Sequence, residues 1–239
     1  MIIIPNTGSY YGGKNGSGVY QAIINQIPPH KVYIEPFLGK GAIMRYKKPA
    51  PVYNIGCELD EDLINSFWNP AIKEQGLNII VNHKNGIDFL HDVGHGETFI
   101  QYGKEVFVYC DPPYLIESRK TPRARYKHEF LRADHIEFLD VVTRLPFNVA
   151  ISCYNNDLYS DQLKGWRKIE FKAQTRQGSA TEVLYMNYPE PEQLHDYSYL
   201  GKTFRERERI RKKLQRHVQG LKRLPIFERK AIIEAIVNI

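Results

Sequence analysis

Glu105-Val106-Phe107-Val108-Tyr109-Cys110 is a short β-rich run that stops at Asp111-Pro112-Pro113-Tyr114. An apolar run of this length, bounded by a turn signal, reads as a strand buried on both faces. Strands of that kind belong to parallel sheets covered by helices. The flanking sequence agrees. Lys31–Glu35 and Val52–Glu58 read as strands; Gly41–Lys47 starts a helix after the first, and Glu61–Glu74 forms one after the second. Leu77–Val81 is a third strand candidate, Asp134 caps a helix to about Arg144, and Asn148–Ser152 is a further strand. Trp166–Phe171 and Glu182–Asn187 read as a closing antiparallel pair. This β-α-β-α order predicts an α/β fold, a mostly parallel seven-stranded sheet with helices on both faces.

Composition narrows the class. The 239 residues suit one domain with a small accessory lobe. With 42% apolar and 12% aromatic residues, global disorder is excluded. No run of eighteen apolar residues exists, so no membrane span is expected. Met1–Pro5 is short and lacks a basic flank, so it is not read as a signal peptide. Cys57, Cys110 and Cys153 are far apart and lack metal-ligand spacing. They read as reduced thiols of a cytoplasmic protein, and no metal centre is expected.

The net charge of +6 is unevenly spread. Leu115–Arg132 carries a net +4 and Gly201–Arg223 a net +8, which leaves −6 on the remainder. Such segments permit a nucleic-acid partner without proving one. Thr203–Leu221 reads as a basic helix with an apolar stripe at Ile210, Leu214, Val218 and Leu221. Leu224-Pro225 ends it, and Ile226–Val237 reads as a second helix. Residues 196–239 are therefore expected to be a helical tail packed on a domain of residues 1–195.

The tetrapeptide Asp111-Pro112-Pro113-Tyr114 carries the chemistry. It follows a strand directly, and ligands of open α/β sheets bind beyond the carboxyl ends of strands. Two prolines stiffen the turn and remove two N–H donors. That leaves the Pro112 carbonyl able to accept from a ligand, beside the Asp111 carboxylate and the face of Tyr114. Two acceptors and a ring match a planar group with an exocyclic amine. Holding both N–H bonds would restore lone-pair character to that nitrogen and aim it at an electrophile. A plain proline-rich turn is the bland alternative.

Other residues join it. Glu35-Pro36-Phe37-Leu38-Gly39-Lys40-Gly41 links the first strand to a helix, and its glycines permit close backbone approach to a ligand. It lacks the third glycine of the dinucleotide fingerprint, which disfavours a nicotinamide cofactor. Glu58 ends the second strand, placed to accept from ribose hydroxyls. Asp60 and Asp62 read as caps of the next helix. Asp88-Phe89 could reach an adenine ring, although a surface Asp beside a core Phe is the commoner pattern. Gly8–Asn15 nearly fits a phosphate loop, but Asn15 lacks the hydroxyl that would ligate magnesium.

Taken together these stretches resemble the Dam-like DNA adenine methyltransferases, which use S-adenosylmethionine, and the resemblance covers most of the chain. It implies the Rossmann-like methyltransferase fold. Tyr10-Tyr11-Gly12-Gly13-Lys14 is similar to that family's N-terminal cofactor motif, with Tyr10 and Lys14 in the contacting positions. The resemblance gives Glu35, Pro36, Phe37, Gly39 and Gly41 to the glycine loop, Glu58 to the ribose, and Asp88 and Phe89 to the adenine. Asp111, Pro112, Pro113 and Tyr114 become the catalytic motif. Thr181–Tyr188 looks like the closing strand.

The implied reaction is methylation of N6 of an adenine turned out of double-stranded DNA, at an unstacking cost of about a few kcal/mol. The base stacks on Tyr114, and its amine donates to Asp111 and the Pro112 carbonyl. One departure stands out. The family places a sizeable target-recognition domain near this point, whereas only Phe89–Cys110 lies between the two motifs here. The expected DNA contacts are therefore the basic residues Arg119, Lys120, Arg123, Arg125 and Lys127, with Tyr126, tracking phosphates beside the extruded base. Transfer to RNA adenine or another amine or amide, and a silent DNA-binding homologue, are the alternatives.

Overall fold

Val106–Cys110 is buried along its whole length and lies at the centre of a seven-stranded sheet. The computed structural model describes residues 13–16, 18–119, 123, 126–175 and 178–238. In chain order its elements are α1 (Val19–Ile24), β1 (Val32–Glu35), α2 (Ala42–Tyr46), β2 (Tyr53–Glu58), α3 (Glu61–Leu63), α4 (Asn69–Gln75), β3 (Ile80–His83), α5 (Gly86–His95) and α6 (Glu97–Ile100). There follow β4 (Val106–Cys110), α7 (Arg132–Thr143), β5 (Asn148–Tyr154), α8 (Asp157–Gln162), β6 (Arg167–Thr175), β7 (Gly178–Met186), α9 (Phe204–Arg223) and α10 (Ile226–Val237). The chain divides into two compact units, Met1–Asp196 and Tyr197–Ile239.

The strand order is β3-β2-β1-β4-β5-β7-β6. Pairing is parallel from β3 through β5, while β7 runs antiparallel to both its neighbours. This is the doubly wound α/β arrangement expected, closed by the expected antiparallel pair. The chain winds outward from β1 to β3 and then returns to β4 on the other side of β1. The point where the winding reverses, between β1 and β4, is where such sheets open a crevice.

Alternation along β4 accounts for its burial. Val106, Val108 and Cys110 join one apolar cluster with Leu90 and Val93 of α5 and Phe138 and Val142 of α7. Phe107 and Tyr109 point to the opposite face. There Phe107 meets the rings of Tyr33 and His30, and the Tyr109 hydroxyl meets Ser152 Oγ at 2.8 Å. Each large side chain so buried contributes about 1.5–3 kcal/mol, so the strand is anchored from both sides.

Two local features depart from the sequence reading. The expected helix Glu61–Glu74 is divided by a wider π turn at Ile64–Trp68. Pro70, in the first turn of α4, has no N–H to return to the preceding turn. The third strand begins later than expected, at Ile80 rather than Leu77. Gly76, at φ 59, ends α4, and Leu77 N–H donates to Ile72 O, so Leu77 serves the helix exit. The shift places Asn85 at the start of α5, where its side chain accepts from Ile87 N–H at 2.8 Å.

In the second unit, Thr203 caps α9 by accepting from Glu206 N–H at 3.1 Å. The Glu206 carboxylate in turn accepts from Lys202 N–H at 2.9 Å, one residue before the cap. No helix among the described residues is long and apolar enough to cross a membrane.

The π turn has a specific job. It brings Trp68, wholly buried, beneath the glycine loop, where its indole N–H donates to Gly39 O at 2.8 Å. Trp68→Ala is expected to lower stability by about 3–5 kcal/mol, read from the midpoint of urea unfolding.

Candidate active site

A cavity of about 310 Å³ lies at the carboxyl ends of β1, β2 and β4, at the reversal point of the sheet. Its wall includes Lys14, the loop Glu35–Ala42, Cys57–Asp60, Asn85, Gly86, Asp111, Pro113 and Tyr126–Phe130. The parallel strands determine this set, since each ends at the same level and hands its next residues to one rim.

The glycine loop is shaped by close contacts. Gly39 and Gly41 sit at φ 49 and 54, in the left-handed region that favours glycine. A side chain on Gly41 would also meet Trp68 at 2.6 Å. Beside the loop, a Cβ on Gly86 would lie 2.6 Å from both the Phe37 ring and the Pro36 carbonyl. Glu58 clamps the loop to β2. Its Oε2 accepts from Gly39 N–H at 2.7 Å, and its Oε1 from Leu59 and Asp60 N–H at 2.9 Å each. A carboxylate has about four acceptor sites, so Glu58 retains capacity for a ligand hydroxyl.

Glu35 lines the cavity but turns its carboxylate inward. It accepts from Tyr33 OH at 2.9 Å and Met44 N–H at 3.1 Å, and burial pushes its pKa up to about 8. Its role is to hold β1 to α2. Phe37 packs edge-on against Phe130 and Phe138, giving the cavity an apolar wall suited to a planar ring.

At the inner end is a cluster of four side chains. Lys14 Nζ lies 2.7 Å from Asp111 Oδ1 and 3.7 Å from Glu182 Oε2. Tyr114 OH donates to the same Glu182 oxygen at 2.9 Å. The Lys14 ammonium stands 4.8 Å from the centre of the Tyr114 ring. Burial raises the Asp111 pKa to about 6; Lys14 opposes the shift and Glu182 adds to it. Burial alone would lower Lys14, but Asp111 and Glu182 reverse the sign and raise it. Lys14 is thereby held charged, and its charge opposes the burial that would protonate Asp111.

The expected site residues divide as follows. Lys14, Glu35, Pro36, Phe37, Gly39, Gly41, Glu58, Asp111, Pro113, Tyr126 and Lys127 meet at the cavity. Pro112, between Asp111 and Pro113, is buried and is not among the lining residues, and its carbonyl accepts no hydrogen bond from a described residue. Tyr10, Lys120 and Arg125 lie outside the described residues.

Five assignments need correction. Asp88 and Phe89 do not line the cavity. With the later start of β3, Asp88 is an exposed first-turn residue of α5 and Phe89 belongs to the core, while Asn85 and Gly86 take the rim. Tyr114 does not offer its ring to the cavity either. It is only 5% exposed, meets Tyr154 edge-on at 4.6 Å, and is tied by its hydroxyl to Glu182.

The other two corrections concern the basic loop. Arg119 is buried rather than poised for phosphate. Its guanidinium donates to Tyr114 O at 2.7 Å, Arg123 O at 3.0 Å and both Glu129 oxygens. Lys127 is paired with Asp60 and Asp62 at 2.8 Å each. Tyr126 packs against the Arg119 guanidinium at 5.2 Å and donates its N–H to Glu129. Arg123 remains exposed.

Glu182 is the residue the sequence reading did not single out. The signal was available, because an acid at that point of an otherwise apolar strand needs a partner. Since β7 is antiparallel, its early residues lie at the carboxyl end of β5, with Glu182 opposite Tyr154. His91 and His95 stand one turn apart on α5, with ring centres separated by 6.5 Å. Among the described residues no cluster of His, Cys, Asp and Glu is arranged to hold a metal.

No protein-family model matches the chain, and no curated protein sequence matches it. Similar solved structures include the SAM-dependent methyltransferase from Agrobacterium tumefaciens, at 13% identity and TM-score 0.44, covering 70% of this chain and 58% of that one. An rRNA methylase from Streptococcus thermophilus has 9% identity and TM-score 0.45, covering 73% and 97%. The Pyrococcus abyssi tRNA (uracil-54, C5)-methyltransferase, solved with S-adenosyl-L-homocysteine, has 12% identity and TM-score 0.48, covering 75% and 40%. The chain thus spans less than two thirds of the Agrobacterium and Pyrococcus proteins. Likeness at this level assigns no activity to this chain.

Two outcomes follow from the corrected site. Arg119→Met removes the charged hydrogen bonds that tie Tyr114 O to the half-buried Glu129 and should cost about 1–3 kcal/mol of stability, measured by urea unfolding. Lys14→Met removes the charge that opposes burial, so the Asp111 carboxyl should titrate above about 6, followed by carbon-13 NMR of the labelled side chain.

Proposed function

We propose that this chain transfers the methyl group of S-adenosylmethionine to the N6 amine of adenine in DNA. The observation that carries the reading is the Lys14–Asp111 pair beside Tyr114, because an N–H donor is already held against the motif carboxylate at the end of β4. The target amine is to share or take over that position.

The cavity fits the cofactor's chemistry. Glu58 keeps acceptor capacity for ribose hydroxyls, and Phe37 and Phe130 offer apolar surface to a planar ring. Gly86, bare of a side chain, packs closely against Pro36 and Phe37 and completes that part of the rim. S-adenosylmethionine supplies a methyl carbon on a positively charged sulfur, and that sulfur leaves as a neutral thioether.

The protein's part is orientation. Asp111 and the Pro112 carbonyl accept the two N–H bonds of the amine, which frees its lone pair from the ring. A C–N bond forms as the methyl–sulfur bond breaks, and the electron pair of that bond goes to sulfur. The amine then loses one proton, which Asp111 can receive before water takes it. Glu182 holds Lys14 and Tyr114 in place, so Tyr114 positions the cluster. The preference for DNA adenine over RNA adenine or another amine rests on Asp111, which the family resemblance associates with DNA.

The test uses labelled cofactor and unmethylated duplex DNA. Asp111→Ala should lower turnover at least about 10²-fold, with cofactor binding by calorimetry largely unchanged. Near-normal turnover would refute the role of Asp111. Glu58→Gln should show the reverse pattern, weakening cofactor binding.

The pH profile provides a separate check. Asp111 accepts a hydrogen bond only as the carboxylate, and its pKa is raised to about 6. Turnover should therefore rise about tenfold per pH unit below that value and level off above it. A flat profile across the acid range contradicts the assignment.

A further inference from the structure

The second unit carries a surface that the proposed reaction does not use. On α9, Arg205, Arg209, Lys212, Lys213, Arg216 and Arg223 are all exposed. At about 100° per residue these six positions fall within an arc of roughly 100°, and the stripe runs roughly 27 Å along the helix. No acidic residue lies within that arc. Glu206 and Glu208 fall outside it, one serving the cap and the other pairing with Arg211 and Lys212. Arg205, Arg209, Lys213, Arg216 and Arg223 make no ion pair among the described residues.

The opposite side of the helix carries its apolar residues, with Arg207 and Arg211 among them. Ile210, Leu214 and Val218 border a groove of about 290 Å³ with Tyr197 and Leu200 of the same unit. The centres of the two stripes stand about 150° apart by the same helical spacing. A basic face opposite an apolar one is also the pattern of a helix lying in a lipid surface, so anionic vesicles are the partner that the experiment must separate from duplex DNA. A rigid row of cations with no aromatic side chain lacks the stacking platform of a single-strand binder.

From this placement we infer that the basic face of α9 binds the phosphate backbone of duplex DNA. The choice of DNA among phosphate polymers rests on the proposed function, whereas the surface itself rests on α9 alone. Duplex DNA offers one phosphate per about 1.7 Å of axis, so a stripe of this length can meet several at once. The contact reads no sequence; it adds backbone affinity to a chain whose catalytic motifs leave little room for a recognition domain.

The experiment measures binding of the full chain to a fluorescent DNA duplex by anisotropy, without cofactor, across about 50 to 200 mM salt. The variant is Arg209→Gln with Lys213→Gln and Arg216→Gln, its fold checked by circular dichroism. A second variant, Arg209→Lys with Arg216→Lys, keeps the charge. Neutralising three contacts should reduce the slope of log affinity against log salt by about 2 to 3 units, and the charge-keeping variant should retain the parent slope. Coincident isotherms for parent and neutralised variant would overturn the inference. So would loss of binding to phosphatidylserine vesicles or to duplex RNA with DNA binding unchanged. A chain that binds DNA in this way yet transfers no methyl group refutes the proposed reaction and leaves this surface standing.

Discussion

The ion pair between Lys14 and Asp111, 2.7 Å long with the lysine almost fully enclosed, is the contact on which the site depends. A carboxylate at the end of a buried strand loses most of its hydration, and burial alone would keep it protonated. The lysine offsets that cost and keeps it an acceptor at neutral pH. Glu182 then balances the lysine, and Tyr114 satisfies Glu182. Four side chains from three separate parts of the sequence thus form one connected polar group. Networks of this kind are stabilising only when complete, so each member constrains the others.

The same logic governs the loop after the tetrapeptide. Its positive charge suggests a solvated DNA contact, but Arg119 is folded back onto the Tyr114 carbonyl and Glu129, and Lys127 onto Asp60 and Asp62. These two cations fasten the motif and the cavity rim, while Arg123 stays exposed. Among the described residues, most of the charge available for an external partner lies on α9, where Glu206 serves the cap and Glu208 pairs with Arg211 and Lys212. Net charge alone could not distinguish the two segments, because pairing depends on which acids the fold brings near.

The fold was legible because its signals are local. The uniformly apolar β4, the alternating β-α order and the closing strand pair all follow from periodicity, and the strand ends place the glycine loop, Glu58 and Asp111 on one rim. What escaped was set by tertiary packing. Gly76 and Leu77 finish a helix, so the edge strand β3 starts late and moves Asp88 away from the cavity. Tyr114 reads as an exposed stacking ring beside two prolines, yet Tyr154 and Glu182 draw it inward. Glu182 was passed over because its partners lie far away in sequence, at Lys14 and Tyr114.

The central claim is that Asp111 presents an adenine amine of DNA for methylation. Its most direct test is mass spectrometry of nucleosides from a methylation-free bacterial host expressing this chain, beside the same host expressing Asp111→Ala. The account predicts N6-methyladenine in genomic DNA from the first culture and none from the second. Methylated nucleosides confined to RNA, or equal N6-methyladenine in both cultures, would contradict it.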